Sequence, residues 1–224
     1  LKTRKLGDNW KVFSQQELRN IFDSIDKLDD TDYTKARLRA QLALGYSAGL
    51  RGNEIVNIKL ADIDLDNNQI KYKQAKTRNK TVIRTIQIPP SVAADIKDYV
   101  SHRGIVGSTY LFAPRPSNRK IADKPISTDV LRRDMKKLSE LTKIPVERLR
   151  PHMLRHSFAT HYLMLGMSIE EVQRLLGHAK LDTTLIYVHE LEKYKRSHLK
   201  LGLFEGVRGL PLPNLTIPGP GEGR

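Results

Sequence analysis

One switch in hydrophobic period constrains this chain more than any other feature. Along most of its length apolar residues recur at helical spacing, as in Leu18, Ile21, Phe22 and Ile25, but residues 69–75 and 82–88 alternate apolar with polar. Spacing near 3.6 builds one face of a helix, whereas spacing of 2 builds one face of a strand. The expected fold is therefore mostly α with a small antiparallel β-sheet, an α+β arrangement. The sheet is a hairpin with the basic tip Lys76-Thr77-Arg78-Asn79-Lys80, and Pro89-Pro90 stops its second strand.

Local signals mark the helices. Ser14 followed by Glu17 is a capping box opening the first helix. A second helix runs through 36–48 to Gly49, and a short one runs from Arg51 to near Leu60. Residues 91–101 read as helical, and 113–125 as a loop carrying Arg115, Arg119, Lys120 and Lys124. Ser127 or Thr128 caps one long amphipathic helix to Leu141, with Arg132, Arg133, Lys136 and Lys137 on its polar face. Helices at 151–165 and 168–176 stop at Gly166 and Gly177, and 183–188 completes the second half. The expected division is a linker at 1–12, one folded domain at 13–189, a tail helix at 190–205, and a disordered Gly/Pro-rich end at 206–224.

Charge narrows the partners. The 224 residues hold 39 Lys and Arg against 25 Asp and Glu, a net charge of +14. Such a balance favours nucleic acid, because each cation that neutralises a phosphate releases condensed counterions. No stretch approaches the ~20 apolar residues of a membrane-spanning helix. The absence of cysteine excludes disulfides, a thiolate nucleophile and Cys-ligated metals. A cytoplasmic protein is expected. No phosphate-binding glycine loop, dinucleotide fingerprint or paired-histidine zinc motif occurs, so neither metal nor cofactor is expected.

The candidate site residues are isolated bases near helix starts and turns. Arg51 follows a glycine break in Gly49-Leu50-Arg51-Gly52-Asn53-Glu54, and His152 and Arg155 share one helical face just after Pro151. His178 follows Gly177, and Tyr187 lies nine residues later. Paired arginines grip a phosphate, and histidines donate or relay protons.

At these residues the chain resembles the tyrosine recombinase/integrase family. The matching blocks are 48–54, 151–161 and 175–187, in the family's order, with the Lys76 hairpin between the first and second. The resemblance covers about residues 13–204 and implies that 13–189 is a recombinase catalytic domain. It implies site-specific DNA strand cleavage and rejoining through a 3′-phosphotyrosine on Tyr187, needing neither metal nor ATP. Arg51, Arg155 and His178 would hold the phosphate, His152 would handle protons, and Lys76 would protonate the leaving 5′-oxygen. Arg78, Lys80, Arg132 and Arg133 are the expected contacts to double-stranded DNA. Glu54 reads equally as an ion-pair member or an accessory, while His156, His161 and His189 read as packing or solvent residues.

Members of this family carry an N-terminal helical domain, of which only linker-like residues are expected here. The segment after Tyr187 would dock on a neighbouring subunit in a tetramer on DNA, with Leu191, Tyr194, Leu201 and Phe204 as its face, or those four residues would instead cover this subunit's own core. Two other readings stay open. One is type IB topoisomerase-like relaxation by the same chemistry. The other is a non-catalytic regulator, with 168–177 and 183–188 as a helix-turn-helix.

Overall fold

The computed structural model describes residues 12–77, 80–104, 107–115, 123–177, 184–189 and 191–192, with backbone alone at 75–77 and 80–81. The residue order is α1 (Gln15–Ile25), α2 (Asp32–Ser47), α3 (Gly52–Val56), β1 (Ile63–Asp64), β2 (Gln69–Thr77) and β3 (Lys80–Gln87). It continues with α4 (Pro90–Arg103), α5 (Thr128–Lys136), α6 (Ser139–Thr142), α7 (Pro151–Met164) and α8 (Ile169–Leu176). Residues 184–189 are also helical. The mostly helical fold with a small antiparallel sheet is as expected. Residues 1–11, Arg78, His178 and nearly all of the tail lie outside the described residues.

The caps work as the sequence indicates. Ser14 Oγ accepts from the Glu17 N–H at 3.1 Å, while the Glu17 carboxylate accepts from the Ser14 N–H at 2.8 Å. Two orphan donors of α1 are thereby satisfied. Its stripe of Leu18, Ile21 and Ile25 is fully buried.

Helix α2 is the centre of the molecule. Leu38 and Leu42 pack into one cluster with α1, α5 and α7, whereas Ala36, Ala40, Ala43 and Leu44 pack into another with α4 and the sheet. A helix apolar on both sides belongs inside. Arg37 reaches from α2 to Asp134 of α5 at 2.6 Å, a buried pair that pins the two helices together.

The sheet has the order β1-β2-β3, all antiparallel. Ile70 faces Ile86, Tyr72 faces Arg84 and Gln74 faces Val82, with a register shift between Gln74 and Thr77. The hairpin is where the alternation places it, and the two-residue β1 adds a third strand.

Two helices differ from expectation. The single helix to Leu141 is broken into α5 and α6, because Leu138 N–H bonds Met135 C=O at 3.1 Å, one residue closer than in an α-helix. This tight turn buries Leu138 with Leu131 and Met135 while Lys137 reaches Asp30 at 2.6 Å. Helix α3 ends at Val56 rather than near Leu60. The backbone beyond it pairs elsewhere: Leu111 N–H donates to Ile58 C=O and Leu60 N–H to Thr109 C=O, each at 2.9 Å. Among the described residues no helix is long and apolar enough to cross a membrane.

Candidate active site

Three elements converge. The α2–α3 turn needs Gly49, whose φ is +62°, and a Cβ there would meet the Phe158 ring at 2.7 Å. The turn delivers Arg51 to the start of α3. There its backbone N–H donates to Glu54 Oε2 at 2.8 Å, and its guanidinium donates to Glu54 Oε1 at 2.9 Å. Glu54 is 2% exposed.

Helix α7 starts at Pro151, where a missing N–H does not matter. That start leaves His152 exposed and turns Arg155 inward. The Arg155 guanidinium donates to the carbonyl of Gly49 and, at 2.8 Å, to that of Leu176 at the end of α8; it lies 3.7 Å from Glu54 Oε2. Arg155 thus ties α7 to both neighbouring elements.

The third element is the helical segment at 184–189. Tyr187 is buried beside Phe158, Tyr162 and Leu176. Burial pushes its phenol up from the ordinary value, while the charge of Arg155, a hydrogen bond with Arg155 and the charge of Arg51 pull it back. The His156 ring stands edge-on to Tyr187, with centroids 5.1 Å apart and planes at 64°.

The electrostatics are those of an anion site. Burial lowers the Arg155 pKa, and the Arg51 charge lowers it further, so two like charges are held close. Partial desolvation of the imidazole, whose residue is largely exposed, also lowers His152, helped by Arg132, Arg155 and Arg51. The neutral imidazole is thereby favoured. Beside these groups lies a groove of about 510 Å³ lined by Arg51, Arg132, Lys136, Arg150 and His152, with no carboxylate among its described lining residues. Arg132 also pairs with Asp129 at 2.8 Å. Among the described residues no group of three or more His, Cys, Asp or Glu could hold a metal.

The structure therefore brings together Arg51, Arg155 and Tyr187, with His152 and Arg132 on the adjoining groove. Lys76 is on β2 and Lys80 on β3, their side chains outside the described set. Arg133 points away from the groove, 3.9 Å from buried Asp134. His156 packs edge-on against Tyr187, and Lys136 joins Arg132 on the groove lining. Sequence reasoning missed two features. Arg150 also lines the groove, and its place two residues before His152 was the available signal. Tyr72 of β2 is buried where it feels Glu54, Arg84, Arg155 and Arg51.

Known proteins resemble this chain in sequence and in fold. Residues 11–193 match the sequence model of the phage integrase family. The chain is 34% identical over 200 residues to tyrosine recombinase XerA of Pyrococcus furiosus, covering 89% of this chain and 64% of that protein. It is 31% identical over 192 residues to tyrosine recombinase XerC of Thermodesulfovibrio yellowstonii, covering 80% of this chain and 60% of that one. The chain thus spans less than two thirds of the length of these relatives. Among solved structures it resembles a XerA recombinase (27% identity, TM-score 0.64, 84% of this chain and 64% of that one). It also resembles the XerH site-specific recombinase bound to palindromic difH substrate in a post-cleavage complex (25% identity, TM-score 0.66, 90% of this chain and 54% of that one).

Proposed function

This chain belongs to the phage integrase family, and from that premise we propose that it is the catalytic part of a tyrosine site-specific recombinase acting on double-stranded DNA. The observation that carries this reading is the burial of Tyr187 beside the guanidinium of Arg155, within the field of Arg51. A tyrosine is a poor nucleophile at its ordinary pKa near 10, so attack requires help at both its proton and the phosphate.

In this reading the Tyr187 hydroxyl attacks a phosphodiester phosphorus and the bond to the 5′-oxygen breaks. A 3′-phosphotyrosine and a free 5′-hydroxyl result. Two guanidiniums offset by one carboxylate leave a positive balance that an incoming phosphate neutralises, most strongly as charge grows in the transition state. His152 takes part in moving the tyrosine proton. Lys76 returns a proton to the departing 5′-oxygen, and His178 adds a hydrogen bond to the phosphate. The covalent link keeps the bond energy, so rejoining to another strand needs no ATP.

Arg132, Arg78 and Lys80 contact the DNA backbone, joined by Lys136 and Arg150 of the groove, whereas Arg133, turned toward Asp134, contributes less than expected. Residues 13–189 form the catalytic domain, and the segment from 190 docks on a neighbouring subunit in a tetramer on DNA. A cytoplasmic setting fits this substrate.

The helix-turn-helix reading is not favoured, because it assigns no role to the Arg51–Glu54–Arg155 cluster. Relaxation without exchange uses the same chemistry but does not join two duplexes. Two differently labelled duplexes sharing one site separate these readings. Recombinant or junction products are expected, and release of torsion without such products would contradict the proposal.

A further inference from the structure

The end of α8 is held by side chains from the hairpin and from α7. Arg84 of β3 donates to the Arg174 carbonyl, Arg155 of α7 to the Leu176 carbonyl at 2.8 Å, and Gln74 of β2 to the Gly177 carbonyl. The last carbonyls of a helix lack partners within it, and cations are favourable there because the helix dipole is negative at that end. Arg84 and Gln74 also meet each other, at 3.5 Å between Nη1 and Oε1. They sit diagonally across the hairpin, since Arg84 faces Tyr72 and Gln74 faces Val82.

Gly177 is shaped for this grip. Its φ is +66°, and a Cβ there would come within 2.6 Å of both Arg84 Nη1 and Gln74 Nε2. Chain positions either side of the contact matter. Two residues beyond Gln74 along β2 is Lys76, and immediately beyond Gly177 is His178. The clasp thus joins the strand of the proposed general acid to the turn of a proposed phosphate ligand.

We propose that Gln74 and Arg84 are positioning residues. They lock the Lys76 strand to the α8 end, so that the acid is delivered to the leaving oxygen of a phosphate already held by Arg51, Arg155 and His178. This rests on the recombinase reading given above. A slack hairpin would leave phosphate binding largely intact but would misplace the proton donor, and general acid catalysis contributes about 10²–10⁴ in rate.

The test is single-turnover formation of a covalent protein–DNA adduct on a nicked duplex at saturating DNA. Wild type is compared with Gln74→Ala, Arg84→Ala and Arg84→Lys. Each protein is also given the same duplex carrying a 5′-bridging phosphorothiolate, whose sulfur leaves without needing a proton. We expect both alanine variants to slow by about ten-fold or more on the ordinary substrate. Most of that loss should be recovered on the thiolate, with partial recovery by Arg84→Lys and thermal midpoints close to wild type. Unchanged rates at saturation, or equal losses on both substrates, would overturn the proposal. Absence of an adduct from wild type on either substrate would instead sink the recombinase reading on which it rests.

Discussion

Arg51 and Glu54 are bound to each other twice, once through the Arg51 backbone N–H at 2.8 Å and once through its guanidinium at 2.9 Å. One carboxylate therefore closes the first turn of α3 and aims the arginine beside it. The same carboxylate is the nearby counter-charge of Arg155. Glu54→Ala removes charged hydrogen bonds from a buried position and is expected to cost about 1.5–3 kcal/mol of stability. Glu54→Gln keeps an acceptor for the backbone bond, so it should unfold closer to wild type yet still cleave slowly. Thermal melts beside single-turnover rates separate the two effects.

The contact between His156 and Tyr187 predicts a kinetic defect of limited size. Edge-on ring pairs contribute about 0.5–1.5 kcal/mol, so His156→Ala should slow adduct formation by about 2–13-fold at saturating DNA. His156→Phe retains a ring and should recover much of the rate. A loss far larger than this for both variants would mean that the imidazole itself handles the proton.

A second histidine sets a stability limit in acid. His161 is buried, with Nδ1 3.0 Å from the Tyr46 hydroxyl, and burial pushes its pKa from 6.5 down to about 4. Below pH 6.5 the unfolded chain takes up a proton that the folded chain refuses, so stability falls as pH drops toward 4 and levels off below it. The loss across that window is as much as about 3 kcal/mol. His161→Gln should flatten this part of the curve, which melts between pH 7 and pH 4 would record. An unchanged slope would place the titrating group elsewhere.

The groove predicts a dependence on salt. Arg132→Ala and Lys136→Ala should each weaken binding similarly across DNA sequences and lower the slope of log K against log salt by about 1. Arg133→Ala, whose guanidinium lies toward Asp134 rather than the groove, should change that slope less. Fluorescence anisotropy at several salt concentrations measures all three.

What the chain discloses before folding is mainly local. Ser14 with Glu17 and the glycines at 49 and 177 act within a turn of themselves, so their capping roles are legible residue by residue. The alternation at 69–75 and 82–88 likewise marks a hairpin. By contrast, β1 is two residues long and has no alternation to detect. The break between α5 and α6 is invisible because the apolar spacing of Leu131, Met135 and Leu138 runs on through the tight turn at Met135–Leu138. For the site, Arg51, Arg155 and Tyr187 stand out within blocks. The apposition of His156 with Tyr187, and of Gln74 and Arg84 with the end of α8, joins residues 31 to 103 positions apart with no local pattern.

The most direct test of the central claim is to find the atom that holds the DNA. The chain is incubated with nicked duplex, quenched in denaturant, digested with nuclease and protease, and the nucleotide-bearing peptide is sequenced by mass spectrometry. The account predicts a nucleotide 3′-phosphate on Tyr187, and no adduct from Tyr187→Phe. An adduct on Tyr194 or any other residue, or one that persists in Tyr187→Phe, would contradict it.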